Sequence, residues 1–302
     1  MIKAENLTKS YGSIEALRGV SFEVGAGEIV GLLGPNGAGK STTIKILTGY
    51  IQPDDGSVAI DGLDVLAHPR EVQARLGYLS ENTPLYPNLS VQSYLKLMAD
   101  LRGIPEADQK QCLSDAIHAT GLVDYRTRRI GQLSKGLRQR VGIAQAILHK
   151  PKVIILDEPT IGLDPTQIVE IRRLIKRLAQ HSTILFSSHI LAEVEAVCDR
   201  VIIIMAGKVK ADARLDELEA TSNTILVLQQ PVGEIEQQLA VLPNVQGVEP
   251  FQSRDGYPAY RVISSADVSP QVYEAAKAQD WPLRELRREV VTLESIFSQL
   301  AA

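Results

Sequence analysis

The stretch Gly34-Pro35-Asn36-Gly37-Ala38-Gly39-Lys40-Ser41-Thr42 sets glycines, a lysine and two hydroxyls at a spacing suited to a polyphosphate. An apolar run, Glu28-Ile29-Val30-Gly31-Leu32-Leu33, precedes it, and a helical pattern, Thr43-Ile44-Lys45-Ile46-Leu47, follows. Strand, glycine-rich loop and helix in that order turn successive backbone N–H groups onto one anion, and the helix N-terminus adds its positive end. Lys40 is expected to reach the β- and γ-phosphates and Ser41 to hold Mg2+. The full G-x-x-x-x-G-K-S spacing, with both flanks right, separates this segment from an ordinary glycine turn. It predicts a nucleoside triphosphate site.

A second chemical segment, Asp157-Glu158-Pro159-Thr160, follows the apolar run Val153–Leu156. An acid at the end of a buried parallel strand lies at the mouth of the sheet, where ligands bind. Asp157 suits holding Mg2+ through water, and Glu158 suits accepting a proton from a water that attacks the γ-phosphate. Two acids could equally close a strand at a surface turn; the phosphate loop upstream favours the chemical reading. His189 ends the strand-like run Ser187-Ser188-His189, where a γ-phosphate contact is reachable.

Three further positions have both a structural and a chemical reading. Ser134 is an N-cap candidate, and the helix end that it would cap, with Lys135 and the Gly136 backbone, would also suit an anion. Asp164 before Pro165 is another N-cap candidate, with Gln167 completing a capping-box pattern. Tyr11, before Gly12, is either a turn residue or a π-face that stacks on a base.

These residues need elements to position them. Ile2–Glu5 and Gly19–Val24 read as antiparallel strands, and Ser57–Ile60 as another before an Asp61-Gly62 turn. From Val91 to Ala119 the apolar spacing turns helical, in a lobe spanning about 85–150. Val153–Leu156 and Thr183–Phe186 read as buried parallel strands flanking a helix at Pro165–Ala179, whose Ile168, Ile171, Leu174, Ile175 and Leu178 share one face. The predicted class is therefore α/β, a nucleotide-binding domain over 1–215. A small α+β accessory domain is expected over 216–302, in the order β-α-β-β-α-β, which is ferredoxin-like. Its strands are expected at Thr224–Leu228, Val245–Phe251, Ala259–Ile263 and Leu283–Arg287. Its helices are expected at Gly233–Leu242, at Pro270–Gln279 capped by Ser269, and at Leu293–Ala301. There is no internal repeat.

Composition narrows the classes. Hydrophobic residues at 44% and charged residues at 23% of 302 are those of an ordinary globular chain. A net charge of −4 gives no reason to expect a nucleic-acid partner. Residues 216–302 hold 6 Lys+Arg against 13 Asp+Glu and the remainder 26 against 23, which supports a boundary near Leu215. Cys112 and Cys198 form no metal or redox spacing and fit a reduced cytosolic compartment. No apolar run reaches membrane-spanning length, and the N-terminus reads straight into a strand rather than a signal peptide. Work at a membrane would need another chain to supply the spanning part.

Together these segments, in this order, resemble the ATPase subunit of an ATP-binding cassette (ABC) transporter. The resemblance covers roughly 1–215 and implies a P-loop fold of cassette type with an antiparallel β subdomain and a helical lobe. Leu133-Ser134-Lys135-Gly136-Leu137 resembles the family's LSGGQ signature, Gly162-Leu163-Asp164 its D-loop, His189 its switch histidine, and Tyr11 the aromatic that stacks on adenine. The resemblance implies ATP and Mg2+ as ligands, a second copy as partner, and Ser134–Gly136 of one copy facing the γ-phosphate held by the other. It implies a separate integral membrane permease, a place on the cytoplasmic face of the cell membrane, and no nucleic acid. Two positions depart from the family. Glu81 stands where the Q-loop glutamine approaches Mg2+, adding negative charge beside the triphosphate, and Lys135 and Leu137 replace a glycine and a glutamine. Both departures resemble a subgroup of export ATPases with gliding-motility and copper-related members. That subgroup also carries a C-terminal extension ending in a leucine-rich helix, as Val291–Phe297 does here.

Three other readings are open to such a chain. A soluble cassette ATPase acting on nucleic acid or ribosomes would be expected to join two cassettes or carry a coiled coil. A nucleotide-gated module without turnover would not need Lys40, Asp157, Glu158 and His189 together. A GTPase would need an Asn-Lys-x-Asp motif, which the chain lacks.

Overall fold

Residues 1–218, 222–253, 255–289 and 292–301 are described by a computed structural model. Alternating apolar and polar residues make the first two strands an antiparallel pair. β1 (Ile2–Tyr11) and β2 (Ile14–Val24) run together from Ile2–Val24 to Tyr11–Ile14. Both are longer than the segments expected from sequence, because exposed Lys, Arg and Glu on the outer face obscure the period. β3 (Ile29–Leu33) is buried at every residue and leads through the phosphate loop into α1 (Lys40–Leu47). β4 (Asp55–Ile60) pairs with β1 and β5 (Leu63–Asp64) with β4, giving a sheet in the order β2-β1-β4-β5. α2 (Pro69–Arg75) then returns the chain to β6 (Leu76–Leu79).

The helical lobe holds α3 (Val91–Leu101), α4 (Glu106–Ala119) and α5 (Lys135–Ile147). β7 (Val153–Asp157), α6 (Pro165–Leu178), β8 (Thr183–Ser188), α7 (Leu191–Val197), β9 (Arg200–Met205) and β10 (Lys208–Arg214) complete the first unit. Its larger sheet has the order β10-β9-β3-β8-β7-β6, parallel except at the β9–β10 edge. β7 and β8 are buried at every residue, as parallel strands covered on both faces must be. On α6, Ile171, Leu174 and Ile175 are buried and Ile168 and Leu178 half-buried. α1 joins the two sheets: Ile44, Ile46 and Leu47 share one core with Ile2, Leu7 and Val20 and with Val30, Val153 and Leu185. Because β3, β7 and β8 point one way and stay in register, Leu33, Asp157 and Ser188 end side by side.

The first unit spans Met1–Leu215 together with the chain end from Leu300, and the second covers Asp216–Gln299. After the short α8 (Leu215–Leu218) come β11 (Thr224–Leu228), α9 (Ile235–Ala240), β12 (Val245–Gln252), β13 (Pro258–Ser264), α10 (Ser269–Ala278) and β14 (Leu283–Arg288). The sheet is antiparallel throughout, in the order β12-β13-β11-β14, which is the split βαβ arrangement. Leu226, Tyr260 and Val262 meet Leu239, Val272 and Trp281 in its core.

The start of α10 differs from expectation. The cap residue is Val268, and Ser269 is already helical. The Ser269 hydroxyl lies 3.0 Å from Thr224 Oγ1 on β11, and its N–H donates to Asp267 Oδ1. α9 is also shorter than expected, and α11 (Leu293–Ala301) closes the chain. The expected apolar tail began at Val291, which lies outside the described residues. Among the described residues no helix is long and apolar enough to cross a membrane.

Candidate active site

The loop between β3 and α1 is shaped for an anion. Gly39 has φ +110°, and a Cβ there would lie 2.8 Å from Ala16 O, so only glycine fits. No side chain caps α1, and its first turn has no acid. The ladder begins with Thr43 N–H donating to Gly39 O at 2.9 Å, so the amides of the first turn have no partner within the helix. Gly34 serves differently from its neighbours: a side chain there would run into the carbonyl of Ile204 on β9, so it permits close packing rather than facing the cleft.

One cleft of about 610 Å³ gathers Tyr11, Asn36, Gly37, Ala38, Gly39, Lys40, Ser41, Thr42, Glu81, Glu158 and His189. Residues distant in sequence thus meet where the parallel strands end. Tyr11 and Ile14, which pair at the hairpin end of β1 and β2, are 48% and 68% exposed and form an apolar rim. Lys40, 6% exposed, donates from Nζ to Gly34 O at 2.7 Å and to Pro35 O at 3.3 Å, and lies 3.8 Å from Glu158 Oε1. Burial lowers its pKa, opposed by Glu158, Asp157 and Glu81.

Asp157 and Glu158 sit at the buried end of β7. Ser187 Oγ donates to Asp157 Oδ1 at 2.6 Å and accepts the Glu158 N–H at 2.9 Å, lacing β8 to β7. Glu158 has φ +48°, a conformation that a glutamate adopts only where its surroundings hold it. Its Oε2 lies 2.9 Å from His189 Nδ1. Burial raises the pKa of both acids; Ser187 opposes this at Asp157, and His189 and then Lys40 oppose it at Glu158.

Ser41, Asp157 and Glu81 offer only oxygen, the donor set of a hard divalent cation. Among the described residues no three His, Cys, Asp or Glu side chains group as a metal cage.

Ser134, Lys135, Gly136 and Asp164 do not line this cleft. Ser134 caps α5 by accepting Leu137 N–H at 3.3 Å, and Asp164 caps α6 by accepting Gln167 N–H at 2.9 Å. The reciprocal half of the expected capping box is missing among the described residues. Gln167 lies over Gly136 instead, where a Cβ would come within 2.6 Å of its Cδ. Lys135 likewise brings its ammonium group against Gly162. The starts of α5 and α6 are thus keyed together within one chain.

Sequence reasoning missed Ser187, Glu193 and the cleft residues Ile14, Glu15, Ala16 and Ile161. A signal existed for Glu193, which stands four residues before the buried Val197 and so on the same helical face.

Residues 17–161 match the family model for the ABC transporter. The chain is 40% identical over 233 residues to the uncharacterized ABC transporter ATP-binding protein YdbJ of Bacillus subtilis (strain 168), covering 76% of this chain and 75% of YdbJ. It is also 40% identical over 231 residues to the bacitracin transport ATP-binding protein BcrA of Bacillus licheniformis, covering 76% and 74%. Among solved structures, an ATP-binding cassette in a dimeric post-hydrolysis state bound to ADP and Pi is similar at a TM-score of 0.65 and 26% identity. That likeness covers 71% of this chain and 99% of the other.

Proposed function

The chain belongs to the ABC transporter family as an ATP-binding, ATP-hydrolysing subunit, and from that premise we propose how its parts divide the work. Two copies close face to face around two ATP molecules. Each triphosphate lies on one copy's Gly34–Thr42 loop and meets Ser134, Lys135, Gly136 and the D-loop Asp164 of the other. The observation that carries this reading is the separation just described: Tyr11, the loop, Glu81, Glu158 and His189 share a cleft, and the signature residues face elsewhere.

Within the cleft, Tyr11 stacks on the base and the unpartnered amides at the start of α1 bind phosphate oxygens. Lys40 releases the carbonyls of Gly34 and Pro35 to pair with the β- and γ-oxygens. Glu158 takes the proton of the attacking water, and His189 orients Glu158 and contacts the γ-phosphate. Ser41, Asp157 and Glu81 are the residues assigned to hold Mg2+. When bound, that ion neutralises charge developing on the phosphate oxygens. Lys135 adds a positive charge to the signature, which suits an opposing γ-phosphate.

Loss of the γ-phosphate removes an anion that both copies share, and the pair reopens. The helical lobe and the loop 81–89 pass this motion to a separate integral membrane permease, which places the chain on the cytoplasmic face of the membrane. The departures at Glu81 and at Lys135 with Leu137 support the export-type subgroup, and outward transport follows from that. The similarity to a bacitracin transport ATP-binding protein supports a role in transport.

The test is Glu158→Gln. With ATP and Mg2+ it is expected to lose turnover, keep nucleotide binding and accumulate as a dimer by light scattering, whereas Lys40→Ala stays monomeric. A Glu158→Gln chain that binds ATP and remains monomeric would sink the proposal.

A further inference from the structure

α7 carries an acidic side chain on its buried face. Glu193 is 2% exposed, and both of its neighbours on the acceptor side come from other segments. Its Oε2 accepts from Thr160 Oγ1 at 2.6 Å and from Ser188 Oγ at 2.9 Å, while Ser188 Oγ itself accepts the Ile190 N–H at 3.0 Å. Oε1 is buried and has no hydrogen-bond partner among the described residues. A buried acid is costly to keep, and an aliphatic side chain would fill the same space without that cost. What it visibly does is hold two hydroxyls through Oε2.

The two hydroxyls occupy particular places. Thr160 stands two residues beyond Glu158, on the turn that leaves β7, and Ser188 is the residue before His189 at the end of β8. Glu158, at φ +48°, cannot keep its backbone conformation without support from its flanks. One carboxylate oxygen thus clamps the segments that carry both members of the 2.9 Å Glu158–His189 contact. Ser187 laces the same two strand ends from the other side of Ser188, through Asp157 Oδ1 and the Glu158 N–H. Bonds of 2.6 and 2.9 Å to one oxygen fix the separation of the two hydroxyls, which suits a clamp whose purpose is distance.

We propose that Glu193 is a positioning residue for hydrolysis: through Thr160 and Ser188 it sets the spacing between Glu158 and His189 without touching nucleotide. This rests on reading Glu158 and His189 as the hydrolytic pair. Loosening the clamp displaces the base from its water; the Lys40 loop follows the neighbouring strand β3 and keeps its own bonds from Lys40 Nζ to Gly34 O and Pro35 O. The expected signature is a fall in kcat with nucleotide affinity preserved.

The experiment measures kcat, nucleotide Kd and thermal melting on the full chain. Glu193→Ala is expected to lower kcat by roughly ten- to a hundredfold, the scale of a small misplacement of reacting groups, with Kd within about twofold. Glu193→Gln keeps an oxygen that can accept both hydroxyls and should recover most of the rate. Placed in a Glu158→Gln chain, Glu193→Ala should change the residual rate less than about twofold, since the group that it positions is already disabled. Thr160→Val and Ser188→Ala each remove one arm, and they carry the test should Glu193→Ala fail to fold. Wild-type kcat in both, or loss of kcat and affinity together with no recovery in Glu193→Gln, overturns the proposal. Wild-type kcat in Glu158→Gln and His189→Ala would instead overturn the reading of the pair itself.

Discussion

His189 Nδ1 stands 2.9 Å from Glu158 Oε2 across the gap between the ends of two neighbouring parallel strands, and Lys40 Nζ stands 3.8 Å from the other oxygen of the same carboxylate. Glu158 is therefore held between an imidazole and an ammonium in a buried setting. Burial raises its pKa, and these two neighbours pull it back. Its charge state depends on the balance, which gives the pH behaviour a definite sign.

A base must be deprotonated to act. With its pKa raised, Glu158 takes up a proton at a higher pH than an exposed glutamate as the solution is acidified, so kcat should fall on the acid side from that point. His189→Ala removes the largest influence that lowers this pKa. The acid limb of the residual rate should then move to higher pH. Superimposable limbs for the two chains, measured at saturating ATP, would separate Glu158 from that titration.

The same shift bears on stability. A carboxyl whose folded pKa lies above its unfolded value contributes stability in full below the unfolded pKa, and that contribution is lost as pH rises through the folded pKa. At neutral pH the ionised Glu158 thus costs the fold something. Glu158→Gln should raise Tm at pH 7 by about 1–3 °C, with the gain fading towards pH 4. A lower Tm at pH 7 in calorimetry would contradict this balance.

Tyr11 offers a half-exposed ring at the rim of the phosphate cleft. Tyr11→Ala should weaken ATP binding about three- to tenfold, in line with the loss of one stacked aromatic, and Tyr11→Trp should restore it. Binding of inorganic triphosphate, which has no base, should be indifferent to both changes. Titration with the two ligands distinguishes a stacking role from a structural one.

Glu81 is exposed at the cleft and lies after β6. Glu81→Gln should keep nucleotide affinity within about threefold and shift the Mg2+ concentration for half-maximal turnover upward, because a neutral amide holds a hard cation less firmly than a carboxylate. An unchanged Mg2+ titration would place Glu81 away from the metal.

Gly136→Ala forces Gln167 to move, since the added methyl would sit 2.6 Å from its Cδ. A flexible side chain can yield, so the cost should be modest, about 1 kcal/mol in denaturant unfolding. Gln167→Ala in the same chain should recover most of it. A cost that persists in the double variant would mean that Gly136 answers to something other than Gln167.

How much of this was legible in the residues follows the range of each interaction. The phosphate loop and Asp157-Glu158 declare themselves because their chemistry is local and fixed by spacing. Ser134 and Asp164 were readable as caps for the same reason, each bonding an N–H three residues on. Gln167 shows the limit: a local rule pointed it back at Asp164, but the open face of Gly136 on another helix offered a better seat. Ser187 was hidden for a related reason. In the run Ser187-Ser188-His189 it read only as the end of a core strand, and its bond to Asp157 exists because β8 pairs with β7, which no periodicity reveals. In the second unit the strands and helices were readable from pattern, while the order β12-β13-β11-β14 is a product of packing.

Gln167 on Gly136 and Lys135 against Gly162 make the beginnings of α5 and α6 a lock and its key. Anyone grafting residues 133–147 alone onto another cassette would carry over half of a fitted pair, without the Gly162 turn and the Gln167 that meet them. Interchangeable parts in this molecule come in pairs, and a chimera that respects the pairing should keep its activity where a neater single-segment exchange loses it.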